Sequence, residues 1–227
     1  MASWLLGKGL DALSALRSSS FTPTVLQFDN LQVMTTALLA EGGYSFVYSA
    51  RDMAGKTQYA AKKVLAQDAE TRAIAEMEAR LLTTFSGQPN FVVCHGVLSR
   101  PATAGSGTEH WFLLEYCSKG SLVDLIYEKV GGGGGLDATY ERRAPLPQER
   151  VLDVFDAVCA AVAHMHSHDP PVQHRDLKLE NVLLREDGKT FVLCDFGSAT
   201  TRELPPNCTR RAMLEEEERI AKYSTQM

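Results

Sequence analysis

The octet His174-Arg175-Asp176-Leu177-Lys178-Leu179-Glu180-Asn181 constrains this chain more than any other feature, together with the triplet Asp195-Phe196-Gly197 that begins nineteen residues after Asp176. Their polar side chains suit the movement of a phosphoryl group. Asp176 can accept the proton of an attacking hydroxyl, and Lys178 can neutralise charge on the transferring phosphate. Asn181 and Asp195 offer oxygen atoms to magnesium, which prefers hard ligands and takes only one or two of them from protein. A fold that serves this chemistry must bring two carboxylates and an amide together. Six fixed positions in eight, plus a second fixed triplet at the right distance, make a chance string a poor explanation.

The bulk composition sets wide limits. A chain of 227 residues holds one large domain or two small lobes, and a hydrophobic fraction of 44% is enough for a sizeable core. A net charge of −5, with 23 Lys and Arg spread without a basic block, argues against non-specific binding to nucleic acid or an anionic membrane. Cys94, Cys117, Cys159, Cys194 and Cys208 form no C-x-x-C pair and no metal-binding spacing. An odd count in a long chain predicts reduced thiols and an intracellular, cytoplasmic protein. No run of eighteen apolar residues occurs, so no transmembrane segment is expected. Residues 1–23 form an N-terminal extension. Leu6, Leu10, Leu13 and Leu16 fall on one helix face, interrupted by Gly7 and Gly9. The segment lacks the basic start and apolar run of a secretory signal, and Ala2 in place of Gly gives no myristoylation. A packing helix or a loose tail is expected, with a membrane-surface helix as the alternative.

Residues 24–117 read as a sheet of about five strands with one helix. Strand patterns fall at Leu31–Thr35, Phe46–Ser49, Gln58–Val64, Phe91–Cys94 and Trp111–Leu114. Between residues 68 and 85, Ile74, Met77, Leu81 and Phe85 recur at helical spacing, with Asp68 as cap and Ser86-Gly87-Gln88-Pro89 as stop. Residues 118–227 are more helical. Val151, Phe155, Val158, Val162 and Met165 predict one buried stripe on a long helix over 148–167. The five glycines from Gly131 to Gly135 are followed by mixed residues and two prolines rather than a helix start. They read as a flexible surface insertion near residues 128–146, not as a phosphate cradle. Of His164, His166 and His168, only the first and last share a helix face. They read as the polar end of the long helix rather than a metal site.

The octet and triplet together are the signature set of protein kinases. From about residue 30 to 227 the chain resembles a eukaryotic-type Ser/Thr protein kinase. The resemblance implies an α+β, two-lobed fold: a small sheet lobe with one helix and a hinge over 24–117, and an incomplete helical lobe over 118–227. It also implies ATP as phosphoryl donor and Mg2+ as the accompanying ion. Leu39-Ala40-Glu41-Gly42-Gly43-Tyr44-Ser45-Phe46-Val47 stands where a kinase glycine loop would lie. Against G-x-G-x-x-G-x-V, only Gly42 of the three spaced glycines is kept, with Ala40 and Ser45 at the other two. Leu39, Gly42 and Gly43 are taken as part of the nucleotide lid, because glycine lets backbone N–H groups approach phosphate. Lys62, on the following strand, is expected to bond the α- and β-phosphates. Ala60, Val47 and Leu183 are expected to sandwich adenine. Glu78 is the best partner for Lys62, since Leu82 follows it by one helical turn. For the competitor Glu76, Arg80 stands there instead. Either Glu would otherwise be a solvated helix residue. Glu115-Tyr116-Cys117 resembles the hinge, with Glu115 and Cys117 at the adenine edge and Leu114 as gatekeeper.

The resemblance narrows at Leu39–Tyr44, Phe85-Ser86-Gly87 and Val192–Thr200, which look like the Numb-associated kinases, a family that includes the adaptor-associated and cyclin-G-associated kinases. The stretch Leu214–Met227, with Glu215 to Glu218, is similar to that family's activation segment, which carries an extra helix. By itself the acidic run would read as a solvated face. The family resemblance implies a protein substrate phosphorylated on Ser or Thr, clathrin-adaptor-type partners, and a location peripheral to endocytic membranes. Lys178 also matches the Ser/Thr rather than the Tyr pattern.

In the family, an A-P-E segment and further helices follow the position of Met227. The sequence is therefore expected to be a fragment or truncated reading of a longer kinase, of marginal stability. One buried apolar side chain contributes roughly 1.5–3 kcal/mol, against a domain stability of about 5–15 kcal/mol. Two rival readings remain. A pseudokinase scaffold would usually have lost the strand lysine, the octet Asp or the triplet Asp, and all three are present. A small-molecule phosphotransferase of related fold is opposed by Lys178 and Gly197.

Overall fold

The computed structural model describes residues 22–42, 45–103, 105–131 and 139–224. Residues 1–21, including the leucine-bearing extension, lie outside the described residues, as do Gly43, Tyr44 and Gly132–Gly135. The first half is a six-stranded antiparallel sheet in the order β1-β2-β3-β4-β6-β5. Its strands are β1 (Val25–Phe28), β2 (Leu31–Glu41), β3 (Ser45–Asp52), β4 (Gln58–Ala66), β5 (Cys94–Pro101) and β6 (Thr108–Glu115). Helix α1 (Ala69–Phe85) joins β4 to β5. The second half carries α2 (Leu122–Ile126), the ribbon β7 (Tyr127–Gly131) with β8 (Thr139–Arg142), and α3 (Gln148–His166). The hairpin β9 (Val182–Leu184) with β10 (Phe191–Leu193) and helix α4 (Arg210–Tyr223) follow. This is the expected α+β arrangement, a sheet-rich lobe and a helical part.

Strand alternation explains how one sheet serves two cores. Successive side chains of a strand face opposite ways. On β6, Trp111 and Leu113 join Leu26, Phe28, Val33, Ala50, Tyr59 and Ala61 in one cluster, while Phe112 and Leu114 join the larger cluster beneath α1. On β4 the same alternation sends Tyr59 and Ala61 to the smaller cluster, and Ala60 and Val64 to the larger. Lys62 shares the parity of Ala60 and Val64, so the pleat aims it at α1.

The strands differ from expectation in three places. Val25–Phe28 adds a strand, paired with Leu31–Met34, so there are six strands rather than five. Phe91–Cys94 is not a strand: β5 starts at Cys94, and Phe91 makes only a single parallel bridge to Leu193. Asn90 (φ +63°) turns the chain there, and Phe91 and Val92 are buried in the larger core. Around the glycines, Tyr127–Gly131 and Thr139–Arg142 pair as an exposed antiparallel ribbon, so the flanks of the insertion are not loose coil.

Helix α1 starts where predicted. The Asp68 side chain accepts from Thr71 N at 2.7 Å, satisfying one of the open donors of the first turn. Its buried face is Ala75, Glu78, Leu81, Leu82 and Phe85; Ile74 and Met77 lie at the margin. Helix α3 shows a larger rotation. Val154, Ala157, Val158, Ala161 and Met165 face the core, while Val151 and Phe155 are exposed. The predicted stripe is thus correct only at its C-terminal end. Small Ala161 lets the helix approach the β9–β10 hairpin closely, and that decides the face. His164 and His168 set their ring edges against Phe85, with centroids 5.8 and 5.7 Å apart.

A charged cluster closes the outer end of the sheet. Buried Glu109 meets Lys63 Nζ at 2.6 Å, Arg100 Nε at 3.0 Å and Trp111 Nε1 at 3.1 Å. Burial would raise this carboxyl, but the hydrogen bonds outweigh it and hold it at about 2, against an ordinary 4.5. Its stabilising contribution is present above pH 4.5 and lost as pH falls towards 2. The urea midpoint of the native chain should therefore fall more steeply over that range than the midpoint of Glu109→Gln. Parallel pH profiles would show that Glu109 carries no linkage.

Candidate functional site

A cleft lies between the sheet and the β9–β10 hairpin. Among its lining residues are Leu39, Val47, Ala60, Lys62, Glu78, Leu114, Glu115, Cys117, Leu183 and Asp195. Cross-strand register places Val47 directly opposite Lys62. Leu183 comes from the opposite side of the cleft, in register with Val192. Gly42 directly follows β2, and its N–H donates to Ser45 O at 2.7 Å; it is not part of the lining, and Gly43 lies outside the described residues. The carboxylate of Glu115 is committed to the fold. It accepts from Arg185 Nε and Nη2, both at 2.8 Å, and from Val93 N at 2.8 Å. Cys117 is a poor nucleophile, because burial pushes its thiol up to about 12.

Lys62 sits at the centre of the cleft wall. Its ammonium bonds Glu78 Oε1 on α1 and Asp195 Oδ1 at 2.8 Å. Glu78 is buried, whereas the competing Glu76 is exposed, which settles the partner of Lys62. Burial by itself would lower the lysine, but the two carboxylates more than offset it and hold the cation charged. Burial pushes the Glu78 carboxyl up to about 6, with Lys62 opposing. Asp195 is half-buried, and although desolvation would raise it, Lys62 and the Gly197 N–H keep it below the ordinary carboxylate range.

The octet folds into a short loop ending in a 3-10 turn, Leu179–Asn181. Lys178 Nζ donates to Asp176 Oδ2 at 2.7 Å. Asn181 Nδ2 donates to Asp176 O at 2.8 Å and to Asp176 Oδ2 at 3.2 Å. His174 braces the loop from behind. Its Nε2–H donates to Cys194 O at 3.1 Å, and its Nδ1 accepts from Asp176 N at 3.3 Å. Those two partners require the neutral tautomer, and burial lowers the imidazole in agreement. Arg175 (φ +62°) and Asp195 (φ +64°) hold left-handed backbones, a rare conformation for side-chain-bearing residues.

The donor set fits a divalent cation. Asn181 Oδ1 is buried and has no hydrogen-bond partner among the described residues, whereas Nδ2 of the same amide donates to Asp176. A buried acceptor left open is costly unless something accepts its lone pairs. With the ionised Asp195 carboxylate nearby in the cleft, the oxygens match what magnesium prefers.

Reasoning from sequence missed several of the groups that shape this site. Phe196 is buried against Phe85 and His174, with ring centroids 5.8 and 5.6 Å apart. Glu216 of α4 bonds Arg175, although the acidic run Glu215–Glu218 alone reads as a solvated face. Arg185, which fixes Glu115, carries no sequence signal.

A lysine aimed across a cleft by a helix glutamate, facing an Asp-Lys-Asn loop, defines an ATP-dependent phosphotransferase class of site. Residues 34–215 match the protein kinase domain family, and the chain belongs to that family. Membership implies ATP as a substrate and a divalent metal. Two of its relatives are probable serine/threonine-protein kinases of Dictyostelium discoideum. One is 32% identical over 82% of this chain and 16% of its own length. The other is 34% identical over 78% of this chain and 21% of its own length. A serine/threonine-protein kinase of Schizosaccharomyces pombe is 30% identical over 89% of this chain and 20% of its own. The chain thus spans about a fifth of the length of the curated relatives it matches. Among the described residues, no helix is long and apolar enough to cross a membrane.

Proposed function

We propose that this protein is a serine/threonine kinase of the Numb-associated type that transfers the ATP γ-phosphoryl group to a protein hydroxyl. The supporting observation is Lys62, held between Glu78 and Asp195 and facing the Asp176–Lys178–Asn181 loop. Lys62 aligns the α- and β-phosphates, and Glu78 holds it in place. Val47, Ala60 and Leu183 enclose the adenine. Asp176 orients the Ser or Thr hydroxyl and accepts its proton as oxygen bonds to the γ-phosphorus. The bond from that phosphorus to the bridging oxygen of ADP breaks in the same step. Lys178 offsets the charge on the transferring group. Asn181 Oδ1 and Asp195 would hold Mg2+, which supplies charge neutralisation at the phosphates when bound. Catalysis of this kind is positioning plus electrostatics, with no covalent enzyme intermediate.

The narrower assignment rests on the likeness of Val192–Thr200 and of the acidic helical segment to that family. It implies clathrin-adaptor-type subunits as substrates and a role at endocytic membranes. The test is incubation of the intact protein with γ-labelled ATP, magnesium and a peptide library. Label on Ser or Thr, with none on Tyr, is expected. Tight Mg-ATP binding without any transfer would identify a binding module instead.

A further inference from the structure

Ile74 and Met77 recur at helical spacing on α1, yet both stand half-buried at the margin of the core. They line a cavity of about 260 Å³ that shares no lining residue with the nucleotide cleft. Three segments wall it. Helix α1 supplies Ala73, Ile74 and Met77, the stretch Gly197–Thr200 forms a second side, and α4 closes it with Arg219, Ile220 and the cap residue Ser224. Phosphoryl transfer makes no use of this space. Ile74, Met77 and Ile220 give it an apolar wall, and Ile220 is 38% exposed, so area remains for an apolar body to cover.

Polar groups converge on the same space. Ser224 Oγ is buried and has no hydrogen-bond partner among the described residues, a costly state for a hydroxyl unless a ligand answers it. Arg219 meets Glu216 only at 3.8 Å, beyond hydrogen-bond reach, so its guanidinium keeps donors to offer. The charge around the cavity is unbalanced. Arg175, Arg202 and Arg219 share the single carboxylate of Glu216, whereas Glu70, which also lines the cavity, is paired with Lys222 at 2.9 Å. An excess of cation beside an unanswered hydroxyl selects an anion. The apolar wall selects a hydrophobic body attached to it.

We propose that this cavity between α1 and α4 is a binding site for a compact aromatic carboxylate. The rings lie against Ile74, Met77 and Ile220, and the carboxylate accepts from Arg219 and from the Ser224 hydroxyl. The volume of about 260 Å³ falls just below the roughly 300 Å³ at which small-molecule sites begin, which limits the body to about two fused rings. A bare inorganic anion leaves the apolar wall wet. A neutral arene leaves Arg219 and Ser224 unanswered. The occupant touches α1 and α4 at once and so steadies the helix that carries Glu78. The site does not depend on whether the protein transfers phosphate.

The experiment titrates the intact protein with 2-naphthoate by calorimetry, with and without saturating Mg-ATP. One site that saturates below about 1 mM is expected. Mg-ATP should change its affinity by no more than about threefold, and bound 2-naphthoate should slow amide exchange in α1 and α4 by about threefold or more. Arg219→Gln should weaken binding about tenfold or more, the scale for losing a charge-assisted hydrogen bond. Ala73→Leu narrows the cavity and should weaken it by a similar factor. Both variants should keep the native urea midpoint, because both side chains are exposed. The uncharged analogue 2-naphthalenemethanol should bind about tenfold more weakly than 2-naphthoate. Competitive displacement by Mg-ATP would place the ligand in the nucleotide cleft and overturn the site. So would native affinity in both variants, or inorganic phosphate binding as tightly with the same exchange pattern. Should the protein bind no Mg-ATP, the kinase reading fails, and the two variants still decide the cavity.

Discussion

Asp176→Asn is expected to lower phosphoryl transfer by about 10³-fold, the middle of the range for losing a general base. The amide oxygen can still accept from Lys178 and Asn181, the two donors that hold the native carboxylate at 2.7 and 3.2 Å. Loop geometry should therefore survive, and Mg-ATP affinity should remain within about threefold of native. The measurement is single-turnover transfer beside equilibrium nucleotide binding. Undiminished transfer would remove Asp176 from the reaction. Loss of binding in step with transfer would mean the residue acts by holding the site together.

Lys62→Met should cost both activity and stability. Transfer is expected to fall by at least about 10²-fold, the scale for losing one charged group that stabilises the transferring phosphates. Stability should fall because Glu78 and Asp195 lose the cation between them. Breaking a buried pair in this way costs about 3–5 kcal/mol. The loss should depend on pH. Glu78 already has a folded-state value of about 6, above its ordinary 4.5, and removal of Lys62 raises it further. A group whose folded value is raised stabilises the fold below its unfolded value, and that stability is lost as pH rises through the folded value. The variant should thus be most impaired above pH 6 and recover partly as pH falls towards 4.5. Urea melts of both proteins across that range measure the effect. Equal loss at every pH would place the destabilisation elsewhere.

The cleft was legible in sequence wherever its chemistry is written over short distances. Asp176, Lys178 and Asn181 lie within six residues, and a loop with one 3-10 turn brings their side chains together. Lys62 was read from its likeness to the kinase strand lysine, and the pleat of β4 places it on the side of Ala60. Helical spacing put Glu78 with Leu82, and both are buried. Helix faces were harder. Counting large apolar residues favoured Val151 and Phe155, yet α3 packs through Ala157 and Ala161, because small side chains permit close approach to the hairpin. Val25–Phe28 is too short to announce itself, and it pairs only because Leu31–Met34 offers an edge. Glu216 was illegible for another reason. Its burial depends on Arg175, Arg202 and Arg219 converging from distant segments, and no local pattern encodes such a meeting.

The ring contacts of Phe85, Phe196 and His174 have a mechanical consequence. They form an unbroken train from the last turn of α1 to the amide of Asp176. Tight packing transmits displacement rather than absorbing it. A tilt of α1 that withdraws Glu78 from Lys62 must also drag Phe196, tip the imidazole and disturb the aspartate. The two halves of the site are geared to each other, so neither can be disengaged alone.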